Sequence, residues 1–480
     1  WNNPDVKMRW RPFQLGYFLL SCISTVTEDH PDKNTFDLLW FPTGGGKTEA
    51  YLLLSCFLIF YNRLNKKNDG DYAGVNIIMR YTLRTVTLDQ FQRVSKVIIA
   101  AELTRNKYKK FDLGKEKISV GLWVGQDSTP NKTSDAIENI NSDFSSPKQL
   151  LDCPVCKSKL RWSAKDKSTG IKIKNEREKN KKITNNIEEL KVTPKCENSE
   201  CIANIFEELP IYTYDEIIYD NQPTILIGTS DKFAQIVRLS NEIIDKIFGN
   251  ENIKPPSLII QDELHLISGP LGTVSSLYEF IIDELCSRYW KKPKIIGSTA
   301  TIRRAGEQVK SLFNRESFQF PSPGLDHDNS CFSKIKEDDH GRKYVGISTA
   351  GASPKYLLQL LSASILQSAN DKKINKENDV IDTYYTLVTY FNSMRELGGS
   401  MIMYQDDVPK AMNILAERRE DEEHNPEEKR SETLNLPPTE LTGSRQYAEI
   451  RDSLKNLKDN KFLINNKKNK ECIDIVCATN

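Results

Sequence analysis

No stretch of this chain stays apolar for long enough to cross a bilayer; the longest, Ala50 to Phe60, has the length of a buried helix. No charged-then-apolar leader opens it. Its ten cysteines therefore point to thiols or metal ligands in a reducing, cytoplasmic setting rather than to disulfides. Charge of one sign is scarce too. Sixty-seven basic residues against 66 acidic ones leave a net +1, so any nucleic-acid site has to be a local basic surface. Repeats of solenoid period and a base-reading module are both missing, which argues against sequence-specific recognition. The chain begins at Trp1 without a methionine and stops just after an apolar run, and it reads as a fragment.

What is present is a globular composition, 38% hydrophobic and 28% charged, long enough for two or three domains. Short apolar runs recur at Phe36 to Phe41, Val75 to Tyr81, Ile118 to Val124, Thr224 to Gly228, Leu258 to Gln261 and Lys294 to Gly297. Helical patterns separate several of them, as at Leu88 to Leu103 and Val274 to Trp290. The alternation predicts an α/β fold with a parallel sheet. A helix is expected at Pro354 to Asn370, then a polar stretch, Asp371 to Asp379. Further strands are expected at Tyr385 to Phe391, Ser400 to Tyr404 and Cys472 to Cys477. Residues 416 to 440, dense in Glu, Arg, Lys and Pro, read as a solvated loop.

Residues 41 to 48, Phe-Pro-Thr-Gly-Gly-Gly-Lys-Thr, join one apolar run to another, the strand–turn–helix context of a phosphate-binding loop. Thr43, Gly44, Gly45 and Gly46 would let the backbone approach phosphates, whose charge meets amide N–H groups and the positive end of the helix. Lys47 would reach the β- and γ-phosphates and the Thr48 hydroxyl would bind Mg²⁺. The pattern departs at its first position, where Phe41 stands for glycine. Asp262 and Glu263 follow the apolar run Leu258 to Gln261, at the edge where ligands of open α/β sheets gather. Asp262 would hold Mg²⁺ through water, and Glu263 would orient or deprotonate the attacking water. His265 could couple the nucleotide to a neighbouring element. An acidic surface loop would explain neither the carboxylate pair after an apolar strand nor its company with the lysine loop. The expected chemistry is hydrolysis of a nucleoside triphosphate, ATP.

Lys47 and Asp262 lie 215 positions apart, more than one compact sheet needs, so an insertion is expected at about 126 to 220. It carries Cys153-Pro-Val-Cys156 and, 39 residues on, Cys196-x4-Cys201. Four thiols in two knuckles suit a structural Zn²⁺, and a small insert with few large apolar residues gains from such a staple. The lysine-rich run Lys165 to Lys182 between them could touch phosphates or be a solvated face. The other six, Cys22, Cys56, Cys286, Cys331, Cys472 and Cys477, show no such spacing and read as core or incidental residues.

Further short elements fit one kind of ATPase. Gln14 of Arg11-Pro-Phe-Gln14 could read an adenine edge. Thr229-Ser-Asp-Lys-Phe233 could hold a nucleic-acid backbone. Ser298-Thr-Ala-Thr301 could link hydrolysis to movement through Ser298, Thr299 and Thr301. Their order resembles the DExH helicases and translocases of superfamily two. A closer likeness lies in residues 41 to 52, Met79 to Arg84, Gln90 to Arg93, Gly121 to Gly125, Asp262 to Gly272 and Thr386 to Gly398. Together they resemble the helicase subunits of the DISARM anti-phage systems, the DrmA-like family.

That resemblance implies two RecA-like lobes with ATP between them and a DNA strand across their tops. It divides the chain into a first lobe (1–125 and 221–350), the zinc-ribbon-like insertion (126–220), a linker (351–380) and a second lobe (381–480). It implies the nucleotide roles above for Gln14, Lys47, Thr48, Asp262, Glu263, His265 and Ser298. It also implies that Arg80, Thr82, Arg84, Thr229 and Asp231 lie near the DNA backbone, and that a DrmB-like companion subunit takes part. Cys472 to Asn480 looks like the start of helicase motif V, so the arginine motif expected after it is absent. The chain alone is thus expected to bind nucleotide but hydrolyse it poorly, with an incompletely folded second lobe. The motor of a restriction endonuclease and a nucleotide-gated DNA-binding scaffold are the rival readings.

Overall fold

The computed structural model describes residues 9–42, 44–66, 72–82, 84–142, 144–166, 190–300, 304–322, 324–325, 331–333, 343–369, 384–418, 429–445, 447–459, 463–464, 467–469 and 471–479. The chain divides into two compact units, Trp1–Glu337 and Asp338–Asn480. Thr43, Thr301, most of the lysine-rich run and the polar stretch from Asp371 lie outside the described residues.

The first unit is built on an eight-stranded sheet whose neighbouring strands all run parallel. In chain order its strands are β1 (Phe36–Trp40), β2 (Ile77–Tyr81), β3 (Val120–Trp123), β6 (Ile211–Tyr212), β7 (Ile225–Thr229), β8 (Leu258–Gln261), β9 (Lys294–Thr299) and β10 (Ser317–Phe320). Two further strands, β4 (Leu160–Asp166) and β5 (Leu190–Cys196), form a separate antiparallel hairpin between β3 and β6. The order across the sheet is β10-β1-β9-β8-β2-β7-β3-β6. Parallel strands carry helices on both faces, so they are buried on both sides and read as unbroken apolar runs. Ile77, Ile78, Met79, Leu226, Ile227, Ile259 and Ile260 all lie in the core.

Lys294, fully buried at the start of β9, has three donors to place. It gives them to the Asp32 carbonyl (2.8 Å), the Thr35 carbonyl (2.7 Å) and Asp37 Oδ1 in β1 (2.9 Å). This locks β9 against β1. That register decides the site, because β9 then stands between β1 and β8 and brings three loops to one edge.

Helix Lys47–Leu64 starts where β1 ends, and Gly46 precedes it with φ +95°, a left-handed conformation that favours glycine. Among the residues it buries are Ala50, Tyr51, Leu54 and Leu58, at helical spacing on one face. Among the described residues no helix is long and apolar enough to cross a membrane.

The second unit has a three-stranded parallel sheet of order β11-β15-β12, from β11 (Leu387–Phe391), β12 (Thr439–Leu441) and β15 (Ile475–Thr479). A two-stranded ribbon, β13 (Leu463–Ile464) with β14 (Lys467–Lys468), precedes β15. Helices Pro354–Ser368 and Met394–Arg418 cover the sheet, packing Ala363, Leu366, Leu397, Met403, Tyr404 and Val408 against Ile475 and Cys477. Arg430 is buried with its guanidinium 3.4 Å from the centre of the Tyr385 ring, and donates to Asp474 (3.0 Å) and the Leu366 carbonyl (2.8 Å).

The strand expected at Ser400 to Tyr404 is instead the middle of the long helix. Five residues of Ser-Met-Ile-Met-Tyr carry too little periodicity to distinguish the two. The wider window does so: Leu397, Ser400, Tyr404, Val408 and Ala411 are buried at spacings of three and four. Of the loop expected at 416 to 440, residues 416–418 belong to the long helix, Arg430–Thr433 form a 3-10 helix with Arg430 buried, and Thr439 opens β12, while 419–428 lie outside the described residues.

Candidate functional site

Parallel order sets the C-terminal ends of β1, β9, β8, β2 and β7 side by side along one edge of the sheet. These ends carry, in that order, the glycine loop, Ser298-Thr299, Asp262-Glu263, Tyr81-Thr82 and Thr229-Ser230. Segments scattered from residue 41 to residue 299 thereby meet.

In the glycine loop, Gly44 and Gly46 both have positive φ (79° and 95°). The Gly45 amide donates to the Pro42 carbonyl (3.0 Å), closing the turn. Phe41, the departure from the usual glycine, has a structural reason. Its ring is buried, stacks on Phe13 with centroids 3.9 Å apart and planes at 10°, and lies so close over Gly45 that a Cβ there would meet it at 2.4 Å. The helix Pro12–Val26 is fastened to the same loop. Arg11 donates to the Gly45 carbonyl (2.6 Å), and Gln14 Nε2 donates to the Gly46 carbonyl (2.9 Å) while Gln14 Oε1 accepts from the Arg11 amide (2.8 Å). Lys47 Nζ donates to the Phe41 carbonyl (2.9 Å) and so lies folded over the loop.

Asp262 is buried, and three groups hold its carboxylate. Oδ2 accepts from the Tyr51 hydroxyl (2.9 Å); Oδ1 accepts from the Glu263 amide (2.9 Å) and the Ser298 hydroxyl. Tyr51 is itself joined to the Tyr81 hydroxyl (3.2 Å). Glu263 takes a left-handed backbone conformation (φ 47°), unusual for a residue with a side chain, which turns it out of the strand direction. Burial, and after it the Asp262 carboxylate, raises the Glu263 carboxyl above its ordinary range, while Lys47 and His265 oppose them. His265 Nδ1 lies 3.4 Å from Glu263 and 3.2 Å from the Thr299 hydroxyl, so it bridges the acidic turn to the end of β9. Gln308 fixes that turn by donating to the carbonyls of Leu264 (2.9 Å) and Ile267 (2.6 Å).

The residues expected near DNA are placed unequally. Thr82 is half-buried just beyond β2, Thr229 is buried at the end of β7, and Asp231 is exposed two residues later. Arg84 opens the helix Arg84–Lys107. Arg80 sits inside β2 at 1% exposure, ion-paired with the buried Glu279 and lying near the rings of Phe233 and Phe313. It is not a surface group.

The four cysteines of the insertion converge. Sγ of Cys153, Cys156, Cys196 and Cys201 all lie within 4.8 Å of one another, with Cys153–Cys201 at 3.9 Å and Cys156–Cys196 at 3.5 Å. Zinc–sulfur bonds of about 2.3 Å in a tetrahedron put the sulfurs at roughly this spacing, so the set fits a closed Zn²⁺ site. The β4–β5 hairpin presents Cys196 at its end, and the first knuckle is closed by the Cys153 amide donating to the Ser158 carbonyl (2.7 Å).

Three participants escaped the sequence reading as site residues: Tyr51, Arg11 and Arg93. Arg93 ion-pairs with Glu49 and donates to Thr48 Oγ1 (3.1 Å). Each had a signal. Tyr51 lies one helical turn beyond Lys47 and so shares its face, while Arg11 and Arg93 belong to the short runs around Gln14 and Gln90.

No family model matches the chain. It is 37% identical over 472 residues to the DISARM protein DrmA of Bacillus paralicheniformis, a match covering 86% of this chain and 40% of that protein. The chain thus spans less than half the length of this curated relative. Solved structures with some likeness include the DUF1998 helicase MrfA bound to DNA, at 12% identity and TM-score 0.45, covering 98% of this chain and 42% of that one. Another is Mss116p bound to single-stranded RNA and AMP-PNP, at 11% identity and TM-score 0.44, covering 97% and 63%. The motif resemblance and the overall identity agree: this chain is DrmA-like along 86% of its length.

Proposed function

We propose that this chain carries the ATP-hydrolysing motor of a DNA helicase or translocase in a DISARM-like anti-phage complex. One observation carries the reading. A glycine loop with its lysine, a buried aspartate with an adjacent glutamate, and a serine–threonine pair occupy three adjacent strand ends of a parallel sheet.

Each residue has a role that its position supports. The loop from Thr43 to Gly46 and the start of helix Lys47–Leu64 would receive the phosphates, and Lys47 would swing from the Phe41 carbonyl to the β- and γ-phosphates. Thr48 and Asp262 would hold Mg²⁺. Their oxygens lie within 3.2 and 2.9 Å of one tyrosine hydroxyl, a separation a hydrated divalent cation can bridge. Bound there, the ion would neutralise phosphate charge. Glu263, with its raised pKa, would orient the attacking water and take its proton. Gln14 would read the adenine edge. Ser298, Thr299 and Thr301, with His265, would relay occupancy to the rest of the edge.

DNA would lie along the ends of β2 and β7, near Thr82, Arg84, Thr229 and Asp231, held by its backbone without sequence specificity. The insertion (126–220) would bind structural zinc through its four cysteines. Residues 1–125 and 221–350 would act as the first lobe and 381–480 as part of the second, joined by 351–380. The setting would be cytoplasmic, with a DrmB-like companion.

The test is ATP hydrolysis by the intact parent protein, with and without single-stranded DNA. DNA-stimulated turnover is expected, abolished by Glu263→Gln with nucleotide binding kept, and by Lys47→Ala with binding lost. Turnover indifferent to DNA would transfer the assignment to a nucleotide-gated scaffold. Equal loss of binding in both variants would break the assigned roles.

A further inference from the structure

Resting on the nucleotide-site reading above, we infer that Tyr51 is a positioning residue for the divalent cation of that site, and that Tyr81 holds it in place. Tyr51 is 1% exposed, and its hydroxyl has three oxygens in reach: Thr48 Oγ1 at 3.2 Å, Tyr81 Oη at 3.2 Å and Asp262 Oδ2 at 2.9 Å. A phenol brings one proton and two lone pairs to this meeting. A carboxylate is the strongest acceptor present and also the nearest, so the Tyr51 proton goes to Asp262.

The Tyr51 oxygen can then accept from Tyr81, whose hydroxyl on β2 lies 3.2 Å away. Thr48 Oγ1, one turn back on the same helix, lies 3.2 Å from the Tyr51 hydroxyl and accepts from Arg93 (3.1 Å). The Thr48 and Asp262 oxygens are thereby gathered about one tyrosine hydroxyl, where a hydrated cation can meet both. At the same time both oxygens of Asp262 are fixed, Oδ2 by Tyr51 and Oδ1 by Ser298 and the Glu263 amide. Its carboxylate plane cannot turn. One tyrosine thus fixes the carboxylate that would face the ion and touches the hydroxyl beside it.

Both rings are buried, Tyr51 and Tyr81 at 1% exposure each. A phenylalanine would fill the same space, so the hydroxyl and not the ring is the part to test.

Affinity for a non-hydrolysable fluorescent ATP analogue should be measured with Mg²⁺ and with EDTA, in the wild type and in Tyr51→Phe, Tyr81→Phe and the double variant. In EDTA all four should agree within about twofold. The affinity gained on adding Mg²⁺ should fall about tenfold in Tyr51→Phe, the size expected for a lost hydrogen bond to a charged group. Tyr81→Phe should show a smaller loss in the same direction. The double variant should be no worse than Tyr51→Phe, because both act through one hydroxyl. A full Mg²⁺ gain in Tyr51→Phe overturns the inference, as does loss of affinity in EDTA to the same degree. Should Tyr51→Phe not fold, a full gain in Tyr81→Phe overturns it. A wild type that binds no nucleotide sinks the functional reading itself, and this inference with it.

Discussion

Replacing Arg80 by alanine should damage the fold far more than it damages any contact with DNA. Arg80 and Glu279 are 1% and 6% exposed, and the arginine is the carboxylate's partner within the core. Removing one member of such a pair leaves an uncompensated buried charge, which costs about 3–5 kcal/mol. The loss should be read locally, as faster hydrogen exchange of the β2 amides Ile77–Tyr81, because a two-unit chain has no single unfolding midpoint. Replacing both residues by apolar ones of similar volume, Arg80→Met with Glu279→Leu, should recover most of the protection.

The pH dependence gives an independent check. Burial raises the Glu279 carboxyl above its ordinary range, and Arg80 is the chief opposing influence. Without Arg80 the raised value climbs further. A carboxyl whose folded pKa is raised favours folding in its protonated form, so that contribution is present at low pH and lost as the pH rises through the folded pKa. The deficit of Arg80→Ala should therefore be largest above that raised range and shrink as the solution is acidified through it. Unchanged exchange in β2 together with weakened DNA binding would refute the reasoning and make Arg80 a surface ligand after all.

Other expectations follow from the same geometry. Gly46→Ala puts a Cβ at φ +95° and 2.7 Å from Gln14 Nε2, so nucleotide affinity should drop about tenfold with the fold intact; titration showing wild-type affinity would contradict this. Cys156→Ser should lower bound zinc, measured by metal analysis, and remove amide protection from β4 and β5 while leaving β1 and β2 unaffected. Retained protection in that hairpin would mean the cysteines are not its staple. The acid limb of kcat should have its midpoint above the ordinary glutamate range, because burial and Asp262 raise Glu263. His265→Ala should move that midpoint higher, since His265 is one of the groups lowering it; a shift downward would exclude Glu263 as the titrating base.

How much of this could be read from the sequence depends on how far each residue's partner lies along the chain. The strand–glycine loop–helix unit is local, since β1, the loop and helix Lys47–Leu64 are contiguous, and each apolar run that is buried on both faces stands out from its flanks. The cysteine knuckles are legible for a different reason: a structural Zn²⁺ site takes four ligands, and four thiols in two close-spaced pairs fit one. By contrast β10 has only one buried residue in four, and at the sheet edge it leaves no apolar run to notice. The order of strands is likewise silent, because nothing in Ser298's neighbourhood says that β9 will slide between β1 and β8.

Charged residues inside apolar strands show the limit most clearly. Arg80 in β2 and Lys294 in β9 each look, in one dimension, like a cation offered to a ligand at the sheet's edge. Each is answered instead by a carboxylate far along the chain, Glu279 at 199 residues and Asp37 at 257. Tyr51 is the converse. Its aromatic ring on a helix reads as core, yet its hydroxyl meets Asp262 from 211 residues away. Burial alone therefore does not sort function from packing at this edge. What sorts them is whether the buried polar group faces a partner with no further valence, as Arg80 faces Glu279, or one that could still hold a ligand. On the proposed reading Asp262, fixed at both oxygens by Tyr51, Ser298 and the Glu263 amide, would be of the second kind. On that reading the tyrosine beside it belongs with the site, and the arginine of the neighbouring strand with the scaffold.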